Sequence, residues 1–360
     1  MIGEVGTERN YGIDLLRIVS MYLVVVLHLL GSADIEAYLP LCSLKYEVAW
    51  FLEMMAFCAV NCYALISGYV SVNRKYHISN LIIIWFQVLF YSVLITGMFK
   101  LICPETVDAR RMVNSFFPVL TGQYWYFTAY FGLYLVMPAL KCILEKMTQV
   151  ELKRIVWIGF VVLSVLPTLI NQDIFNTADG YSVLWLSYLF VLGAYIRKYN
   201  VFEKMQTSRL VLIWFGSIIL PLGIKFLIEY ISWNYFEILT ISTAMTKYTS
   251  INVVVEAVVL LVFFSRIKVS GAWKKVITLI APTSFGIYLI HSNELVLENL
   301  LFGKLENFAQ LSVVAMAGTV LVVALAIFLL CTVIDLARLK IFEICRVKKL
   351  AEAINRKVLG

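Results

Sequence analysis

The chain has 360 residues, 61% of them hydrophobic and only 15% charged, with a formal net charge of +7. Soluble domains are nearer half apolar and a quarter charged, so a soluble globular chain is excluded. The positive balance needs no nucleic acid, because basic residues flanking membrane spans account for it.

The apolar residues fall in runs of about 17–25 separated by short polar connectors, the length that crosses a bilayer as a helix. This predicts an all-α polytopic membrane protein, one integral domain over 1–360. Ten spans are expected near 11–31, 48–72, 80–101, 123–140, 155–171, 182–196, 210–231, 249–265, 276–297 and 309–335. The first run is longer than a signal-peptide core and no small-residue cleavage site follows it, so it should remain as a span. With the N-terminus inside, 23 of the 30 basic residues fall in cytoplasmic segments, the tail from Arg338 among them. The other seven are Lys45, Lys100, Arg110, Arg111, Lys225, Lys247 and Lys304. This bias places both termini in the cytoplasm.

The first span, "YGIDLLRIVSMYLVVVLHLLG", carries Asp14, Arg17 and His28. Eleven residues separate Arg17 from His28, three turns plus about 20°, so both point the same way about 16 Å apart. Asp14 returns to within about 40° of that direction. A charge facing lipid costs several kcal/mol, so this stripe should face the bundle interior or a wet cavity. Taken singly, Arg17 reads as a topology anchor and His28 as a packing residue. Sharing a face, they read as functional.

In the second span Glu53 and Asn61 should point inward, toward Arg or His, and Cys58 and Cys62 read as small apolar packing. Ser67-Gly68-Tyr69 ends that span, with Gly68 allowing close backbone approach. Arg74 beyond it suits either an anchor or a phosphate contact. Cys42 and Cys103 fall in connectors expected outside, where spacing neither requires nor forbids a disulfide. Trp125 opens the fourth span as an interfacial aromatic or as a platform under a sugar ring. Arg197 follows Gly193 as Arg74 follows Gly68. Lys225 and Glu229, four residues apart in the seventh span, should pair with each other. Glu256 lies within the eighth. In the ninth, Ser284, Tyr288 and His291 line one face, Ser284 as a cap or bend after Pro282, the other two as polar glue or function. No metal-ligand spacing and no nucleophile elbow occurs, so no metal is expected.

Five stretches, in order, resemble the acyltransferase-3 family of membrane acyltransferases. Asp14-Leu-Leu-Arg17 with His28 ten residues beyond is similar to its first-helix signature. "AVNCYALISGYV" at 59–70 followed by Arg74, "YWYFTAYFGLYLVMP" at 124–138, "YLFVLGAYIRKY" at 188–199 and "SFGIYLIH" at 284–291 resemble four further motifs. Cys62-Tyr63-Ala64 departs from the family, which favours phenylalanines there. The resemblance implies an O-acyltransferase in the cell membrane, moving acetyl from cytoplasmic acetyl-CoA to a hydroxyl of a surface polysaccharide or its lipid-linked precursor. It implies catalytic roles for His28, Arg17 and Asp14, with His28 as base or transient acyl carrier. Arg17, Arg74, Arg197 and Ser67 would face the donor; Trp125, Tyr288, His291 and Glu53 would face the acceptor. Some members carry a fused extracytoplasmic domain that completes the transfer. None is expected here, so the chain acts alone or with a separate partner. Two rivals stay open: a glycolipid transporter or flippase with His28 and Glu256 as proton-relay groups, and a ligand-binding sensor without turnover.

Overall fold

The computed structural model describes residues 9–33, 38–72, 74–236, 243–302 and 306–359. Lys304, used above for orientation, lies outside the described residues. The described residues are helical, with no strand among them. The helices are α1 (Tyr11–Ala33), α2 (Leu44–Ser71), α3 (Ile78–Ile102), α4 (Ala109–Asn114), α5 (Trp125–Lys146), α6 (Gln149–Phe160) and α7 (Leu166–Ile170). They continue as α8 (Val183–Tyr199), α9 (Thr207–Phe236), α10 (Ile251–Ser265), α11 (Ala272–Ile280), α12 (Ser284–His291), α13 (Glu294–Val296), α14 (Val313–Ile344) and α15 (Val347–Leu359).

Local chemistry sets the ends. Ser43, Ser182 and Ser312 cap α2, α8 and α14 by accepting from the backbone N–H three residues on, satisfying a donor that the first turn leaves orphaned. Thr148 and Glu151 close a reciprocal capping box at the start of α6. A π turn over Val161–Val165 joins α6 to α7 just before Pro167, whose missing N–H breaks the α ladder there.

Among the described residues, seven helical segments are long and apolar enough to cross a membrane, α6 and α7 counting as one through the π turn: Tyr11–Gly31, Leu44–Ser71, Ile78–Ile102, Trp125–Lys146, Gln149–Ile170, Thr207–Phe236 and Val313–Ile344. The other three expected spans differ. The sixth, α8, has 17 residues and the eighth, α10, has 15. Both lie against α2 in the middle of the bundle. The ninth is not one helix. A 3-10 turn at Ala281–Thr283 containing Pro282 separates α11 from α12, and Asn293 caps a new short helix after His291. Such a broken segment is tolerated because it is packed within protein.

The interior is built around α1, α2, α8 and α10. Where α2 crosses α8, the two glycines of the sequence motifs make the contact. A Cβ on Gly68 would lie 1.9 Å from the Phe190 carbonyl oxygen, and one on Gly193 would lie 2.1 Å from that of Leu65. Only hydrogen fits at either position, which brings the backbones together as small residues do between membrane helices. Around this centre, α9 and α14 turn apolar side chains outward, among them Leu212, Leu220, Trp233, Val314, Val322 and Val333. Exposed residues of this type are what a lipid-facing surface requires.

Helix α14 runs past the expected end of the tenth span. The helix continues through Ile344, and Arg338 is buried and donates to both oxygens of buried Asp335, at 2.9 and 2.6 Å. Pairing at i, i+3 lets both charges stay inside. Tyr91 donates to Asp335 at 2.7 Å, and a Cβ on Gly286 would collide with that carboxylate. This network pins α14 to α3 and α12. Lys225 and Glu229 pair as expected, at 2.7 Å and both buried, with the ammonium 4.2 Å from the Tyr46 ring centroid and 4.3 Å from that of Trp50. Cys42 and Cys103 are free thiols.

Candidate active site

Two features meet along α1. The first is a cavity of about 410 Å³ lined by Arg17, Ser67, Arg74, Lys75, Lys141 and a run of tyrosines. Its wall on α5 reads Lys141, Met137, Tyr134, Tyr130 and Tyr126. These are spaced three or four apart, so they form one face, and fifteen residues carry it about 22 Å along the helix. The cavity is therefore a slot. Cations gather at the end that the basic-residue bias marks as cytoplasmic: Arg74 and Lys75 from the end of α2, and Lys141 from α5, whose ammonium donates to the Arg74 carbonyl. Aromatic rings line the inner part.

Arg17 stands partway along this slot. Asp14 is buried, and its two oxygens accept from Arg17 Nη1 and Arg9 Nε, each at 2.5 Å. The carboxylate holds one edge of the Arg17 guanidinium and leaves its other N–H groups available to the cavity. The Arg17 carbonyl accepts from the Tyr63 hydroxyl at 2.6 Å, so the residue at the family departure fastens α2 to α1.

The second feature is a pair of histidines. His28 Nδ1 lies 3.0 Å from His291 Nε2, and His291 Nδ1 lies 2.6 Å from the Ile287 carbonyl oxygen. A carbonyl only accepts, so His291 Nδ1 carries the hydrogen. With both rings neutral, His291 Nε2 is then an acceptor and His28 Nδ1 must donate to it. The lone pair of the catalytic candidate is thereby fixed on His28 Nε2. A neighbour that sets the tautomer is the usual way a base histidine is held. His291 thus orients His28. The slot and the pair are joined by α12: Ser284 lines the cavity, and His291 follows seven residues later, about 10 Å along the helix. Tyr126 bridges the same gap, its ring 6.3 Å from that of Tyr288.

The remaining residues fall elsewhere. Ser67 lines the cavity, with its hydroxyl donating to the Tyr63 carbonyl. Arg197 does not reach the slot. It packs on the Tyr69 ring, 5.1 Å from the centroid, and faces a separate recess of about 400 Å³ with Arg266 and Glu203. Ser284 does not cap α12; its hydroxyl is buried, and the residue lines the cavity. Trp125 touches Tyr181 and Tyr248, at 4.3 and 5.7 Å between centroids, in an aromatic cluster at the start of α5. Tyr181 closes a loop ordered by Asp173, which accepts from the Thr177 hydroxyl and amide and from the Asp179 amide. Burial pushes the Asp173 carboxyl up, but these hydrogen bonds outweigh it and hold it below the usual carboxylate range. Glu53 is half-buried on α2. Asn61 pairs with neither Arg nor His: it donates to the Tyr248 carbonyl at 2.7 Å and accepts from Trp185 Nε1 at 3.0 Å. Among the described residues, one group has the proximity to hold an ion, Cys42 with Glu47 and Glu229. Glu229 there already pairs with Lys225, and none of the group lines the slot.

The sequence reading gives no site role to Lys75, Lys141, Tyr126, Tyr130 or Tyr134, all of which line the cavity. The i, i+4 spacing of the three tyrosines was a signal for a shared face, but nothing in it said that the face was concave.

Comparison with known families agrees with the resemblance carried by the sequence motifs. A family model described as an acyltransferase domain, that of acyltransferase-3, matches residues 10–334. The chain belongs to the acyltransferase-3 family. The match covers nearly the whole chain, including the slot and both histidines, and identifies a multi-pass membrane acyltransferase. No curated protein and no solved structure matches.

Proposed function

We propose that this acyltransferase takes acetyl from cytoplasmic acetyl-CoA and delivers it to a hydroxyl of a cell-surface polysaccharide or its lipid-linked precursor, in the cell membrane. One observation carries the reading: a slot with cations at one end leads along α5 and α12 toward a histidine whose lone pair is fixed on Nε2. CoA is polyanionic at its nucleotide end and carries its thioester at the tip of an extended arm. Arg74, Lys75 and Lys141 suit the phosphates, with Arg17 further in. Arg197, on its own recess, is left out of the donor site.

The thioester then lies toward His28. Nε2 takes the proton of the acceptor hydroxyl as its oxygen attacks the thioester carbon. The tetrahedral intermediate expels CoA as thiolate, which recovers that proton from the imidazolium. The products are the O-acetyl ester and free CoA. In an acyl-carrier route Nε2 attacks the thioester carbon first and CoA leaves as thiolate; the acceptor oxygen then displaces the imidazole from the acyl carbon, and the hydroxyl proton balances the thiolate. A transporter would move the acceptor without consuming acetyl-CoA, and a sensor would bind without turnover.

The test uses membrane vesicles given acetyl-labelled acetyl-CoA, with mass spectrometry of the glycan fraction. Label should enter the glycan with the wild-type chain and not with His28→Gln, since glutamine cannot take a proton. A His28→Gln chain that labels glycan at the wild-type rate overturns the mechanism. CoA release without acceptor would select the acyl-carrier route.

A further inference from the structure

The inner wall of the slot holds a polar group that the protein leaves unmatched. The Tyr126 hydroxyl is buried and has no hydrogen-bond partner among the described residues, although Tyr126 lines the cavity. Its neighbours are rings: Tyr130 stacked at 6.2 Å, and Tyr63 and Tyr288 edge-on at 6.3 Å each. The Tyr63 hydroxyl is committed to the Arg17 carbonyl. Ser284, the other unmatched hydroxyl on this wall, sits beside the Tyr63 hydroxyl and so has a partner within reach. Tyr126 has none.

A buried hydroxyl without a partner is costly, and such a group in a cavity wall points to a ligand atom that completes it. As a phenol it offers one donor, so the complement is an acceptor oxygen. The slot narrows the choice. It is long and lined by rings here, with cations about 22 Å away at Lys141, so what reaches Tyr126 is the far end of an extended chain whose other end is anionic. The acyl-pantetheine arm of acyl-CoA has that form, and its acceptors are carbonyls: the thioester and two amides.

We infer that the Tyr126 hydroxyl donates a hydrogen bond to a carbonyl of the acyl-pantetheine arm at the inner end of the slot. This rests on the acyl-CoA reading above. No group of the described residues accepts from this hydroxyl, so Tyr126→Phe removes no internal hydrogen bond and keeps the ring packing.

The experiment uses full-length protein in nanodiscs, with acetyl-CoA and CoA as probes and calorimetry as readout. Tyr126→Phe should melt at or above the wild-type temperature and bind acetyl-CoA about two- to thirteenfold more weakly, the loss expected for one neutral hydrogen bond. Weakened binding of acetyl-CoA alone assigns the thioester carbonyl; equal weakening of both probes assigns an arm amide. Wild-type affinity for both probes in Tyr126→Phe overturns the inference and leaves the donor site intact. A lowered melting temperature with loss of both probes makes Tyr126 structural and overturns it too. Wild-type protein that binds neither probe overturns the donor reading, and this inference with it.

Discussion

The tautomer argument makes a demanding prediction, because it assigns different duties to two histidines 3.0 Å apart. His291 supplies an acceptor at Nε2 and never needs to take a proton. Glutamine at 291 can place its amide oxygen near that position and still accept from His28 Nδ1–H. At 28 the same side chain lacks a base. His291→Gln should therefore keep much of the activity, His291→Leu should lose most of it, and His28→Gln should be inactive. The magnitude for His291→Leu is bracketed. Losing one neutral hydrogen bond sets a floor of about two- to thirteenfold, and fixing the proton on the wrong nitrogen of a base histidine sets a ceiling near 10⁴-fold. A loss of about 10- to 1,000-fold relative to wild type falls inside that bracket. The assay is the initial rate of CoA release from acetyl-CoA by nanodisc protein, with a surface-glycan fraction as acceptor. Melting temperature serves as a control for folding. Equal rates for His291→Leu and wild type would refute the orienting role. So would His291→Gln as inactive as His28→Gln, since that would give both rings proton chemistry.

Three further outcomes are expected. Arg74→Ala should weaken acetyl-CoA binding in a salt-dependent way while Arg197→Ala leaves it unchanged, because Arg74 lines the slot and Arg197 faces a separate recess; calorimetry at two ionic strengths checks both. Gly193→Ala should destabilise the bundle by about 1–3 kcal/mol or more, since its Cβ meets the Leu65 carbonyl where backbone cannot yield as a side chain would, read as a lowered melting temperature. Asp173 has a lowered carboxyl pKa, so its contribution to the 171–181 loop is fully present above the ordinary value of 3.8 and is lost only as pH falls through the lower folded value. Hydrogen exchange in that loop should hold steady from neutral pH down to that range and rise below it, whereas Asp173→Ala should show the loosened loop at neutral pH.

The sequence by itself determined the class, the helical content and the family, because lipid forces long apolar runs into helices and charged residues onto interior faces. It also determined that Arg17 and His28 share a stripe, since that follows from helix pitch alone. Gly68 and Gly193 were legible as special positions, but not as partners across one crossing. Contacts between distant segments decided the rest. His291 meets His28 across 263 positions of chain, and no periodicity encodes which helix faces which. The fate of the three arginines shows the same limit: Arg74 enters the slot, Arg197 turns to another recess and Arg338 is buried against Asp335. In sequence all three read as cytoplasmic basic residues at the end of a span. Their difference lies in the packing around them, because a guanidinium on a flexible stem takes whatever acceptor, ring or cavity the neighbouring helices present.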